Sequence, residues 1–228
     1  MKVSDSTYYA LKRLHSLTGV VPVGLFLLEH LFTNSRALAG ADAFNRAAED
    51  LAALPYVQLL ELFGIGVPIL FHMVLGLLIA TTMQANTGRH GYSRNWAYLL
   101  QRVTGIFLTV YILFHVWATR LSPEVLRGDT DLFSLMQRIL EHPAMIAFYA
   151  LGVIAAAYHF GNGLFGFAIH WGLATGRTAQ RWAARLAFGV FLVLTLVGLN
   201  SLLAFLGHGV RWFERGGDAT VTMTEGSR

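Results

Sequence analysis

The sequence predicts an all-α membrane protein whose five transmembrane helices form a bundle. Three observations carry that prediction. First, 55% of the 228 residues are hydrophobic and 13% are charged, against about 25% charged in soluble domains; the mean hydropathy is +0.52. Second, five apolar runs are each long enough to cross a bilayer, which takes about 20 residues. They far exceed the roughly 10-residue alternating segments of a membrane barrel, and backbone in lipid must satisfy its own hydrogen bonds, so helices are expected. Third, four of the runs carry one interior histidine each, and an ionisable group inside a span is costly enough to suggest function.

The chain reads as one integral-membrane domain over residues 1–228, with spans at about 14–33, 57–83, 98–119, 144–173 and 183–206. The first run resembles a cleavable leader, with Lys12 and Arg13 ahead of it and Ala37-Leu38-Ala39 behind. Glu29 and His30 interrupt its end, which favours a retained span. The second run follows Pro55 and holds His72, and the third holds His115. The fourth holds His159 and then Gly161, Gly163 and Gly166; its length predicts a helix that tilts or projects. The connecting stretches at 34–56 and 120–142 read as loops.

Composition also excludes. With no cysteine, disulfides, thiolate metal sites, iron–sulfur ligation and covalently attached c-type haem are ruled out. The pI of about 9.6 does not point to nucleic acid, because the basic residues are divided among the loops. Lys2, Lys12, Arg13, Arg89, Arg94, Arg102, Arg177, Arg181 and Arg185 fall at one end of the predicted bundle, with Asp5 the acid beside them. Eight arginines and ten acids fall at the other end and in the tail after Gly207. Raw basic counts nearly tie, but the first group is packed into short segments at helix ends. That predicts a cytoplasmic N-terminus and an outside C-terminus.

A short internal echo is visible. Arg13-Leu14-His15-Ser16-Leu17-Thr18-Gly19 precedes His30, and Arg102-Val103-Thr104-Gly105 precedes His115. Thr and Gly are ordinary packing residues of membrane helices; equally, Gly lets a flat cofactor approach the backbone.

The four interior histidines fall at two depths. His30 lies 4 residues before Asn34 and His115 lies 5 before Arg120, whereas His72 lies 17 after Pro55 and His159 lies 17 after His142. The two levels differ by roughly 18–20 Å at about 1.5 Å per residue. A single membrane histidine is often a hydrogen-bonded packing residue; four at paired depths are not explained that way. A haem between two helices takes one neutral imidazole from each face, which fills both axial positions and leaves a group that moves electrons. His90, His142 and His208 read as solvated, His170 as interfacial. His15 is open between a haem propionate and a partner subunit. A di-iron oxygenase needs several histidines close together, and no two here lie within five residues. A histidine-lined proton channel or transporter explains buried histidines but not their pairing.

The first helix around Lys12-Arg13-Leu14-His15-Ser16-Leu17, the LELFGIGVPILFHMVLG stretch, RNWAYLLQRVTGIF with FHVWATR, and YHFGNGLFGFAIHWG together resemble one family. It is the single-polypeptide, five-helix, di-haem cytochrome b subunit of succinate dehydrogenase/fumarate reductase, and the likeness runs from about Tyr8 to Leu206. The resemblance implies that His30 and His115 ligate an outer haem b and His72 and His159 an inner one. It implies a flavoprotein partner that interconverts succinate and fumarate, and an iron–sulfur partner. Electrons would pass to a quinone, usually menaquinone, in the bacterial cytoplasmic membrane. The dicarboxylate chemistry would lie in the flavoprotein partner. In one branch of the family a Glu two residues before the last ligand serves transmembrane proton movement; Ala157 stands there, so that path does not carry over. The cytochrome b of a hydrogenase or formate dehydrogenase is the nearest alternative.

Quinone reduction takes two protons as well as two electrons, so a carboxylate near the outer haem is useful. Glu61 and Glu29 are the candidates, with an interfacial carboxylate bonded to the 34–56 stretch as the bland reading of each. Arg13 and Arg102 are candidate propionate partners, although the positive-inside rule alone accounts for either. Trp96, Trp117, Trp171 and Tyr98 suit interfacial anchoring, and Trp117, beside His115, could also border a quinone.

Overall fold

The computed structural model describes residues 4–82, 87–88, 91–128 and 131–211, and no strand occurs among them. Five helical spans are long and apolar enough to cross a membrane: Ser6–Ala39, Val57–Thr81, Ser93–Leu126, Pro143–His170 and Arg177–Phe205. Met83, the predicted end of the second span, and His90 lie outside the described residues.

Helix boundaries follow local chemistry. Helix α1 (Asp5–Val20) opens where the Ser4 hydroxyl accepts the Thr7 N–H, satisfying one of the donors a helix start leaves unpaired. Pro22 begins α2 (Pro22–Ser35). Proline cannot donate a backbone bond, yet Val21 N–H still reaches Leu17 O at 2.9 Å, so the first span kinks without breaking. The fourth span, α9 (Pro143–His170), ends three residues earlier than predicted. Gly172 there takes φ +71°, a left-handed turn that a glycine adopts without strain. The fifth, α10 (Arg177–Phe205), begins six residues earlier than predicted, because Arg and Gln propagate a helix beyond the apolar run.

The second span passes from α4 (Val57–Leu59) through a π-helical stretch, Leu60–Gly66, into α5 (Val67–Thr81). The third is α6 (Ser93–Val116), continuing as a π-helical stretch, Trp117–Leu121. Helix α1 packs on α5 and α9, α5 on α6, and α6 on α9. The first four spans therefore close into a ring. Helix α10 lies outside it, against α9 and α2. A methyl at Gly161 would stand 2.7 Å from Ala187 O, so glycine sets the close approach of α9 to α10.

The two stretches expected to be loops are instead mostly helical. They form α3 (Ala41–Ala52), the single turn α7 (Pro123–Leu126) and α8 (Leu132–Ile139). Leu132, Leu135, Met136 and Ile139 recur at i, i+3, i+4 and i+7, the spacing of one apolar helix face. That face, with Phe44 of α3, packs on the end of α10, where Phe44 and Phe205 meet edge to face at 5.1 Å. The bundle thus has a capped end, covered by α3 and α8, and an open end near the start of α1.

Candidate functional site

Each of the first four spans presents one histidine to another span, and the rings meet in two pairs. Near the capped end, His30 of α2 and His115 of α6 have ring centroids 5.7 Å apart, with planes at 81°. Tyr111 stacks on His115 at 5.7 Å and 8°, and Tyr149 meets it edge-on at 5.8 Å. His115 Nδ1 is buried without a hydrogen-bond partner.

Farther toward the open end, His72 of α5 and His159 of α9 have centroids 6.2 Å apart and planes at 82°. Here the Nδ1 atoms are held. His72 Nδ1 lies 3.0 Å from the main-chain oxygen of His15 and 3.5 Å from Thr18 Oγ1. A carbonyl only accepts, so the proton belongs on Nδ1. The Thr104 hydroxyl donates to Leu100 O at 2.7 Å and has lone pairs left for His159 Nδ1–H at 3.2 Å. Each bond fixes the tautomer that keeps the Nε2 lone pair for a metal.

The sequence echo acquires a meaning here. Thr18-Gly19 and Thr104-Gly105 do not serve the histidines that follow them on their own spans. They seat His72 and His159 on neighbouring spans. A methyl at Gly105 would lie 3.0 Å from His159 Cε1, and one at Gly19 would overlap His72 Cε1. The glycines therefore admit imidazole rings to the helix backbone. Gln101 adds support that the sequence reading missed: its Nε2 donates to His159 O at 3.1 Å, and Asn162 Nδ2 donates to Gln101 Oε1 at 2.7 Å. The Arg102–Gly105 repeat marked that turn of helix, but nothing in one sequence pairs Gln101 with Asn162.

These donor sets can be tested against a haem. A metal–imidazole bond is about 2 Å, with the ring centre about 1 Å beyond the nitrogen, so two imidazoles on opposite faces of an iron have centroids about 6 Å apart. The observed 5.7 and 6.2 Å agree with that spacing. Among the described residues, no three or more His, Cys, Asp or Glu side chains group to hold a bare ion. Paired imidazoles suit a macrocycle that supplies the equatorial nitrogens itself. Each pair has the donor set that a haem iron would take.

The remaining candidates divide. His15 stacks on His72, with centroids 3.9 Å apart and planes at 13°. Arg13, two residues earlier and so about 200° around the helix, turns the other way. Its guanidinium carbon lies 4.1 Å from the Trp171 ring centre, beside a cavity of about 300 Å³ lined by Tyr9, Leu14 and Leu17. Arg102 covers Tyr98, with Cζ 3.4 Å from the ring centre, and its buried Nε has no hydrogen-bond partner. Glu61 pairs with Arg120 at 2.7 Å. Glu29 accepts from the Thr33 hydroxyl and makes no recorded contact with Glu61. Trp171 Nε1 donates to Ser16 Oγ at 3.2 Å, whereas Trp96 and Trp117 are exposed. His142, His170 and His208 are exposed as well; Ala157 is buried.

Comparison with known proteins adds two likenesses. Residues 81–207 match the family described as succinate dehydrogenase/fumarate reductase transmembrane subunit. Over 204 residues, 90% of this chain and the full length of the relative, the sequence is 42% identical to the succinate dehydrogenase cytochrome b558 subunit of Bacillus subtilis (strain 168).

Proposed function

The chain belongs to the family of succinate dehydrogenase/fumarate reductase transmembrane subunits, and from that premise we propose that it is a di-haem cytochrome b passing electrons between an iron–sulfur partner and a membrane quinone. The observation that carries the reading is the pair of imidazole pairs, at 5.7 and 6.2 Å, on facing spans. His30 and His115 would hold one b haem, and His72 and His159 the other. A haem held by such a pair would supply one-electron transfer.

The chain's own residues do the rest. The ring of four spans excludes water, and the Nδ1 bonds to His15 O and Thr104 Oγ1 orient the ligands at one level. Arg13 and Arg102 each keep a buried Nε without a hydrogen-bond partner, and both are candidates for a propionate. At the capped end, Glu61 and Glu29 are the groups able to hold the protons that a quinone, proposed to be menaquinone, takes up on reduction.

Seven basic residues, Lys12, Arg13, Arg94, Arg102, Arg177, Arg181 and Arg185, gather at the open end. By the positive-inside rule that end faces the cytoplasm, in a bacterial cytoplasmic membrane. The flavoprotein and iron–sulfur partners would dock there, with the dicarboxylate chemistry in the flavoprotein. The chain is then an electron-transfer subunit forming a single membrane domain, with the C-terminus outside.

The test is a reduced-minus-oxidised spectrum with a pyridine haemochrome titration on the complex purified with its native partners. Two b haems per chain are expected. Folded protein without haem would overturn the reading and favour a proton channel or transporter.

A further inference from the structure

Five histidines, not four, lie inside the bundle: His15 stands beside the two facing pairs. His15 is neither exposed nor a member of a facing pair. Its ring lies parallel to the His72 ring at 3.9 Å, and its Nδ1 is buried without a hydrogen-bond partner. Leaving a buried polar atom unpaired is costly, about 1–3 kcal/mol. The ring keeps its place against His72 in spite of that cost.

The surroundings confine that ring. Behind it is Gly76 of α5, where a methyl would stand 3.0 Å from His15 Cε1. Against the His72 ring lies Gly19, one turn along α1 from His15. Because Gly76 lies one turn beyond His72 on α5, two interlocking notches form. The His15 ring enters the notch on α5, and the His72 ring enters the notch on α1. The main-chain oxygen of His15 takes the His72 Nδ1 proton at 3.0 Å. That bond fixes where Nδ1 points but leaves the ring free to tilt about the bond. A flat ring at 3.9 Å removes the tilt.

We propose that His15 is a positioning residue for the axial ligand His72: its stacked ring holds the His72 imidazole plane nearly perpendicular to that of His159, where the two now stand at 82°. This rests on the reading of His72 and His159 as a ligand pair. The relative orientation of two axial imidazoles splits the iron d orbitals. Perpendicular planes leave two of them nearly degenerate and give a strongly axial low-spin resonance; parallel planes give a rhombic one. His15 therefore sets an electronic property of an iron that it does not touch. At the other pair, whose planes stand at 81°, the parallel ring is Tyr111 against His115, farther off at 5.7 Å.

The experiment uses the assembled complex in its membranes, with His15→Ala, His15→Phe and His72→Ala variants. Haem is counted per chain, and the low-temperature paramagnetic resonance of the oxidised protein is recorded. His72→Ala identifies the signal of the haem held by His72. If that variant keeps both haems, the ligand reading itself has failed. Given that assignment, His15→Ala is expected either to move that signal from axial toward rhombic, or to lose that haem alone. His15→Phe, which keeps a flat ring in the notch, is expected to retain both the haem and the axial signal. Two haems with an unchanged signal in His15→Ala would overturn the proposal. So would equal change or equal haem loss in the alanine and phenylalanine variants, since a flat ring would then not be what matters.

Discussion

Glu61 and Arg120, joined by a 2.7 Å ion pair, tie together the two π-helical stretches of the bundle. Each stretch carries the wider turn that re-aims side chains and recurs at functional sites. Both partners are substantially exposed, at 41% and 55%. A pair exposed to that degree contributes about 0–1 kcal/mol once solvent screening is counted. Stability is therefore a weak reason for its presence. Glu61→Gln is expected to leave haem content and complex assembly unchanged and to lower quinone reduction by about tenfold, less than the factor of about 10²–10⁴ that one proton-transfer group contributes in general, because water carries part of the proton flow. Steady-state quinone reductase assays on quantified complex check this, and unchanged turnover would remove Glu61 from the proton route.

The ring pairs make a second prediction. His72→Ala and His159→Ala should remove the same haem, while His30→Ala and His115→Ala remove the other. Haem titration of each single variant, with the resolved α-band of the remaining haem, reports which one is lost. A variant that keeps both haems takes its histidine out of the ligand set.

Glycine seats give a graded test. Gly→Ala inside a helix ordinarily stabilises it by roughly 0.5–1 kcal/mol. At Gly19 the new methyl would overlap the His72 ring, and overpacking of that kind costs about 1–3 kcal/mol, so the loss wins. At Gly105 the methyl would come within 3.0 Å of His159 Cε1, which a small ring displacement relieves. Gly19→Ala is thus expected to deplete the haem held by His72 and His159 more severely than Gly105→Ala. Haem content per chain, read after purification, decides the order.

The cap has a predictable acid limit. Burial raises the Asp131 pKa, but hydrogen bonds from the N–H of Ser134, Asn45 Nδ2, the N–H of Phe133 and the Ser134 hydroxyl outweigh it, so the carboxyl lies below its usual value. A depressed folded pKa contributes stability above the unfolded value, about 3.9, which is lost as pH falls through the folded value. Amide protection factors in residues 132–139, measured against the intrinsic rate at each pH, should be high at neutral pH and fall below about pH 4. Asp131→Ala should lose the protection at neutral pH, by about 1 kcal/mol.

Much of this architecture is legible in the sequence, for physical reasons. Spans in lipid must be apolar throughout, so all five declare themselves by length, and buried histidines are rare enough to stand out. The contacts of His15 were not legible. A residue's neighbour across a bundle depends on helix rotation, and only the structure shows that Arg13 and His15, two positions apart, look toward Trp171 and His72 respectively. The Thr-Gly echo was visible, but its partners were not, because it acts on the adjacent span. Helices α3 and α8 were read as loops because their length and charge hid an apolar face that appears only when Phe44 and Leu135 are placed against α10.

The cap also divides the molecule thermodynamically. Apolar helices in lipid gain little from leaving their solvent for one another, whereas the Phe44, Met136, Leu140 and Phe205 cluster sits where the fifth span ends and the connecting helices begin, and is driven together by expulsion of water. Most of the heat-capacity change on unfolding should therefore come from this small fraction of the chain. Hydrophobic stabilisation of that kind weakens on cooling, so low temperature should loosen the cap while the bundle beneath it holds, and the end proposed to meet quinone becomes the cold-sensitive part.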